Sequence, residues 1–245
     1  MKKVNTYVTS VFILFFIWLI VYRLINQPML MPSPSDVFKA FFSLITSLAS
    51  LKLMGYTLFR LLIAIAFSIL LGMVFGILGS KYKTLSHLFS PYVTILRTIP
   101  VISIVIIVLI VFGFVMTPYI ITFLMIFPII YQAIHDAIKG IDPSYVDVYK
   151  LEDDHILSQI RFCYFPLIKP QITTALLQSA GLGIKVLVMA EYLSQTPQSI
   201  GRQIYLERIY LNYDFVFAWT CLLIGLALGI EALVYRYQNR ISNDH

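Results

Sequence analysis

Apolar residues in this chain do not alternate with polar ones; they run on. Six stretches, about residues 7–25, 56–79, 92–113, 117–135, 170–193 and 214–235, are apolar almost throughout. A hydrocarbon layer of about 30 Å needs roughly 20 apolar residues in helix, so each run qualifies, or nearly so, as a membrane-crossing helix. The expected fold is all-α and integral to a membrane, a single domain over residues 1–245. A first span (about 7–25) precedes a core of about residues 50–238, and a long polar loop of about residues 137–169 joins spans four and five.

The connections carry their own patterns. Asn26–Val37 (NQPMLMPSPSDV) is rich in Pro and Ser, and from Asp36 to about Ser50 the residues Phe38, Phe41, Phe42, Ile45 and Leu48 recur at helical spacing, as in an interfacial helix. The most polar passage is Val146–Pro166 (VDVYKLEDDHILSQIRFCYFP). Before it, Asp142 and Pro143 offer an N-cap acceptor and a proline at the first helical position, and nothing from Ser144 to Leu151 breaks a helix. At Glu152, Asp153 and Asp154 the chain can turn. Either aspartate can cap a second helix, with Ile156, Ile160 and Cys163 on one face, which Pro166 would end. Such a helix-turn-helix bracket is longer than a simple join requires, which points to docking.

Composition agrees with the pattern. With 59% hydrophobic and 12% charged residues and a mean hydropathy of +0.85, the chain is far more apolar than a soluble domain of its size. Its formal charge of +6 does not form a basic stripe interleaved with aromatics, so no nucleic-acid partner is expected. The cations read instead as topology signals. With a cytoplasmic N-terminus, that side holds Lys2, Lys3, Lys81, Lys83, Lys139, Lys150, Arg161, Lys169, Arg236 and Arg240, against Lys39, Lys52, Arg202 and Arg208 outside. Both termini and the polar loop are then cytoplasmic. Lys2 and Lys3 before an apolar run resemble a signal peptide, but the run is long and no small-x-small site follows, so an uncleaved first span is expected.

The candidate chemistry is sparse. Cys163 and Cys221 lie far apart, which argues against a disulfide or metal site. His87, His135, His155 and His245 are dispersed, and neither Ser-His-Asp nor metal-ligand spacing is visible. Without a Walker A glycine loop the chain cannot hydrolyse ATP by that mechanism. Inside the spans, Ser68, Gly72, Gly76 and Ser80 recur every four residues, as do Ala175, Ser179 and Gly183, and Gly225 and Gly229 repeat the theme. These strips suit close helix packing, with a substrate groove as the other reading. Arg97, Lys185 and Glu191 are charges at depth, with Arg60 and Glu231 nearer the span ends. Arg97 lies close to Pro100, where a helix can bend and gate. It can guide an anionic solute or pair with Glu191. Lys185 and Glu191 do not face each other, because they are six residues apart. Met189, Tyr192, Phe112 and Phe114 can line a path for a flat or apolar solute, or face lipid.

The polar loop resembles the signature of permease subunits of ABC importers: Glu-Ala-Ala, three residues, Gly, nine residues, Ile, one residue, Leu-Pro. With Pro166 as its final proline, the Glu falls on Asp147, the alanines on Val148 and Tyr149, the Gly on Asp153, the Ile on Cys163 and the Leu on Phe165. The wider chain resembles the nitrate, sulfonate and taurine branch of that family, through MPSPSDV, TLFRLLIAIAFSILLGMVFGILGS, PYVTILRTIPVISI, IDPSYVDV, MAEYL and SIGRQI. The resemblance implies a subunit of the bacterial inner membrane that forms the path for a small solute as a homodimer. It further implies a cytoplasmic ATPase dimer docked on the two brackets through Asp147, Val148, Tyr149, Glu152, Asp153, Asp154 and Pro166, a coupling that requires a rigid element. ATP and Mg belong to that partner, no cofactor to this chain, and an external binding protein would meet the loop from Ser194 to Tyr213. Arg97, Pro100, Lys185, Met189 and Glu191 are the expected path or gate. The altered motif leaves a second expectation, a permease-like scaffold or sensor that has lost coupling.

Overall fold

The computed structural model describes residues 2–27, 30–152, 155 and 158–242, and among these every regular element is a helix. The elements are α1 (Lys2–Ile25), α2 (Pro34–Thr46), α3 (Leu48–Lys81), α4 (Lys83–Thr98), α5 (Val101–Lys139), α6 (Pro143–Glu152), a π-helical turn (Gln159–Tyr164) running into α7 (Phe165–Ser194), then α8 (Ile200–Ile209) and α9 (Tyr213–Ser242). Among the described residues four helices are long and apolar enough to cross a membrane: Leu48–Lys81, Val101–Lys139, Gln159–Ser194 and Tyr213–Leu233; Phe12–Ile25 is a shorter apolar helix.

Capping sets the first boundaries. Ser33 caps α2: its hydroxyl accepts from the Asp36 N–H at 3.2 Å and donates to the Asp36 carboxylate at 2.6 Å, with Pro34 opening the helix. The helix therefore begins before Asp36, and Ser47, extended at φ −78° and ψ 119°, separates it from α3. The packed face of α2 is Val37, Ala40 and Leu44, whereas Phe38, Phe42, Ile45 and Leu48 are exposed, an apolar face suited to lipid.

The expected spans at 92–113 and 117–135 are drawn differently. α4 ends at Thr98, and α5 starts after Pro100. Within α5, Gly113 stands at φ 73° and ψ 175°, a conformation only glycine holds easily, and breaks the helix into two arms. The arms pack on each other's neighbours: Ile104, Val105 and Val108 share one cluster with Ile121, Val186 and Ala190. A straight helix would separate Val108 from Ile121 by about 20 Å, so the chain doubles back at Gly113. α4 extends the same antiparallel course, with Ser86 against His135 and Phe89 against Tyr131.

Helices gain little from apolar burial when lipid is the alternative; they associate by close fit and hydrogen bonds. α3 supplies the fit. A methyl at Gly72 would stand 2.7 Å from Ile130 Cγ2, at Gly76 3.0 Å from Ile134 Cβ, and at Gly79 2.8 Å from the Tyr131 hydroxyl. Across α7, a methyl at Gly183 would meet Ile126 at 2.8 Å and Leu61 at 2.9 Å. Ser179 is fully buried beside it, and its hydroxyl meets no hydrogen-bond partner among the described residues. Gly225 and Gly229 differ: no atom lies within 4 Å of where their methyls would be. A second cluster joins α2, α3, α7, α8 and α9 around the fully buried Trp219, with Trp18 of α1 stacked on Phe217 at 5.8 Å.

Within the stretch 137–169, α5 continues to Lys139, and the π-helical turn from Gln159 and α7 from Phe165 occupy the far end. α6 opens as expected: Asp142 accepts the Ser144 N–H at 2.9 Å, and Pro143 is the first helical residue. Asp153, Asp154 and Ile156 lie outside the described residues, as does the side chain of Glu152. Pro166 does not end a helix. The Phe165 N–H reaches back five residues to Ile160, a wider turn placed just before the residue that has no N–H to give, and the chain passes through Pro166 into α7.

Candidate functional site

Three polar constellations stand out from the apolar body. The first joins α3, α7 and the loop before α8. Glu191 is fully buried near the end of α7, where its carboxylate accepts from Arg60 Nη1 at 2.9 Å, lies 3.1 Å from the Thr57 hydroxyl through each oxygen, and accepts the Gly201 N–H at 3.3 Å. Arg60 spends its other donors on the carbonyls of Pro197, at 2.9 Å, and Gln198, at 3.0 Å. Arg60, and not Arg97, is thus the partner of Glu191, so of the two readings of Arg97 the pairing one does not hold. Arg97 sits exposed at the end of α4, while Thr57 and Arg60, one turn apart, bring their polar ends to α7. A buried carboxylate needs a cation and filled lone pairs, and Arg60 with two further donors supplies both.

The second is a stripe on α7. Gln171, Thr174, Gln178 and Lys185 are exposed at spacings of three, four and seven residues, so they share one face, with Leu182 and the half-buried Met189 between and above them. At the α6 end the stripe enters a cavity of about 870 Å³ lined by Asp136, Asp142, Tyr145, Gln171, Thr174 and Gln178, among others. Farther along, Lys185 and Glu231 line a groove of about 390 Å³ between α7 and α9, walled by Ile184, Val188, Ile224 and Leu228. Glu231 leans on Gly181, where a methyl would stand 2.7 Å from its carboxylate. Lys185 and Glu191 do occupy different faces, one exposed and one buried. Pro100, the other candidate gate residue, is exposed at the break before α5.

The third is the surface of α6. Tyr145 and Val148 are 63% and 68% exposed, while the Tyr149 hydroxyl turns inward to Ser158 at 3.0 Å and ties α6 to the turn before α7. Asp147 is exposed on the same helix, and Pro166 is exposed at the start of α7. The hydrogen bond from the Ser144 N–H holds the Asp142 carboxyl below its ordinary value.

One grouping was invisible in the sequence. The Ser86 hydroxyl lies 3.0 Å from His135 Nε2, and His135 Nδ1 lies 2.9 Å from Asp136. The atoms are ordered as in a serine relay, yet Ser86 also receives Lys139 at 3.5 Å, and the cavity that reaches Asp136 is not lined by Ser86 or His135. The trio fastens α4 to α5.

Comparison with known proteins follows the fold. The model of a family described as binding-protein-dependent transport system inner membrane component matches residues 68–243. No curated protein matches in sequence. Among solved structures, the chain is similar to an inward-facing conformation of the MetNI methionine ABC transporter, with 14% identity and a TM-score of 0.59, covering 79% of this chain and 95% of that one.

Proposed function

This chain belongs to the family of binding-protein-dependent transport system inner membrane components, and we propose that it is the permease subunit of an ABC importer. It is a transport subunit of the inner membrane, not an enzyme. Two copies enclose the path of a small solute, a separate cytoplasmic ATPase dimer carrying ATP and Mg drives it, and an external binding protein delivers the solute. ATP binding turns the path outward, and hydrolysis resets it inward. The motifs shared with the nitrate, sulfonate and taurine branch favour that branch for this chain.

The observation that carries this reading is the α7 stripe. Amides, a hydroxyl and an ammonium exposed along a membrane-spanning helix are costly against lipid, so Gln171, Thr174, Gln178 and Lys185 face water or a second copy. Six crossings follow if α4 and the first arm of α5 together make the third, doubling back at Gly113. Cation placement supports cytoplasmic termini. In the sequence ten cations of the loops and termini, Lys81 and Lys139 among them, fall on that side, against Lys39, Lys52, Arg202 and Arg208 on the other.

α6 is the coupling element in this reading. Its large residues, where the family has alanines, divide the work: Tyr149 fills the bracket's own interior against Ser158, and Val148 projects outward beside Tyr145. The bracket is thereby stiffened from within, as a lever must be. The test is ATP hydrolysis in lipid discs by this chain assembled with the ATPase of the same gene neighbourhood, comparing wild type with Val148→Arg. Assembly and hydrolysis by wild type alone support coupling. If no ATPase associates with wild type, the coupling role is refuted and the chain is a permease-like scaffold.

A further inference from the structure

The loop between α7 and α8 is held at more points than a simple connection requires. Gln195 and Gln198 both sit in left-handed backbone, at φ 54° and 51°, which turns the Pro197 and Gln198 carbonyls to Arg60. Thr57 lies 3.2 Å from the Ile200 N–H and touches Glu191, so α3 grips the loop from both sides. Inside the loop, the fully buried Ser199 hydroxyl donates to the Thr196 carbonyl at 2.8 Å.

Thr196 carries the connection onward. Its hydroxyl, also fully buried, donates to the Phe114 carbonyl at 2.7 Å. Phe114 is the residue after the Gly113 break, and its helical partner four residues on is Pro118, which has no N–H. Thr196 therefore supplies the donor that Pro118 withholds. The Thr117 hydroxyl adds a donor at the neighbouring carbonyl, that of Gly113, at 2.7 Å. One hydrogen-bonded chain thus runs from Arg60 and Glu191 through the loop to the point where the α5 arms part. The first arm, from Val101 to Phe112, lies between Pro100 and Gly113, a rod with a break at each end.

We propose that Arg60, Glu191 and Thr196 form a latch that makes displacement of the 195–199 loop and movement of the 101–112 arm a single event. The latch is a property of this chain alone; that the event gates a solute path rests on the permease reading above. A loop held only for its own sake would need the Arg60 carbonyl contacts and the 2.6 Å contact between the Thr196 and Ser194 hydroxyls, but not the bond from Thr196 to the Phe114 carbonyl, which leaves the loop to complete another helix.

Amide hydrogen exchange on the full chain in detergent micelles tests this without an ATPase or a solute, so failure of the permease reading leaves the result interpretable. Thr196→Val keeps the side chain's shape and removes its donor. It is expected to raise exchange across residues 101–112 about tenfold, while Thr196→Ser stays at the wild-type rate. Arg60→Lys, which retains the charge but loses the paired grip on two carbonyls, is expected to raise exchange in the same arm. Thr57→Val serves if Arg60→Lys does not fold. The proposal is overturned if Arg60→Lys or Thr57→Val loosens residues 195–201 and leaves 101–112 unchanged, if Thr196→Val has no effect on the arm, or if exchange rises evenly over α3, α5 and α7.

Discussion

Gly201→Ala places one carbon where the structure has no room. Its methyl would stand 2.5 Å from the Tyr192 nitrogen, 2.5 Å from the Val188 carbonyl oxygen and 2.6 Å from Glu191 Cβ, whereas ordinary contact begins at 3.4 Å. Two of those atoms are backbone within α7 and cannot step aside, so α8 must lift by roughly 1 Å. That stretches the Gly201 N–H contact to Glu191 from 3.3 Å and the Ile200 N–H contact to Thr57 from 3.2 Å, both beyond hydrogen-bonding range. Overpacking costs about 1–3 kcal/mol, and each lost bond about 0.5–1.5 kcal/mol, more to a carboxylate. A total near 3 kcal/mol lowers Tm by about 6–12 °C at 2–4 °C per kcal/mol. Gly225→Ala is the matched control, since nothing lies within 4 Å of its methyl and alanine favours helix by up to about 1 kcal/mol. Thermal unfolding in detergent reads both. A Gly201→Ala protein melting within about 2 °C of wild type refutes the reasoning.

Other outcomes follow from the same geometry. Arg60→Ala leaves the buried Glu191 carboxylate without its cation and should cost about 3–5 kcal/mol, whereas Arg60→Leu combined with Glu191→Leu should cost less, as melting of the three proteins will tell. Two copies bearing Gln178→Cys in a Cys221→Ser background are expected to cross-link on mild oxidation, while Ile110→Cys, also exposed but off the polar stripe, stays monomeric on a gel. Asp142, whose folded carboxyl titrates below its ordinary value, stabilises the start of α6 above the unfolded pKa of about 3.9 and loses that contribution as pH falls through the lower folded value. Exchange at Ser144 and Tyr145 should therefore accelerate only in acid, and Asp142→Asn should remove that dependence.

Much of the architecture was legible because each signal was local. The long apolar runs marked helices, Asp142 and Pro143 marked the start of α6, and Gly72, Gly76 and Gly183 stand where neighbouring side chains approach within 3.0 Å of a missing methyl. The partner of Glu191 was not legible, since Arg60 lies 131 positions away and Arg97 had an equal claim on charge alone. Ser86 and His135 likewise meet across 49 positions. The boundary between the spans expected at 92–113 and 117–135 falls at the Gly113 break, but hydropathy does not report φ, so the backbone turn that makes it was not legible. Local rules also failed where geometry supplied an alternative. Pro166 lacks an N–H, but the wider turn before it absorbs the loss, and the helix continues. On α2 the spacing marked the apolar face of Phe38, Phe42 and Ile45, which is exposed as an interfacial helix presents it, but not the packed face of Val37, Ala40 and Leu44, because lipid is as apolar as the protein interior.

The placement of the tryptophans has an optical consequence. The chain has two, and they mark one corner: Trp18 donates to the Pro32 carbonyl at 3.3 Å and stacks on Phe217, while Trp219 is sealed in the cluster that joins α2, α3, α7, α8 and α9. Emission excited selectively at tryptophan is therefore a local signal, a blue-shifted reporter of the junction between α1 and α9 that does not sample the α4 and α5 arms. Unfolding followed by fluorescence and by circular dichroism will coincide only if that corner and the arms come apart together.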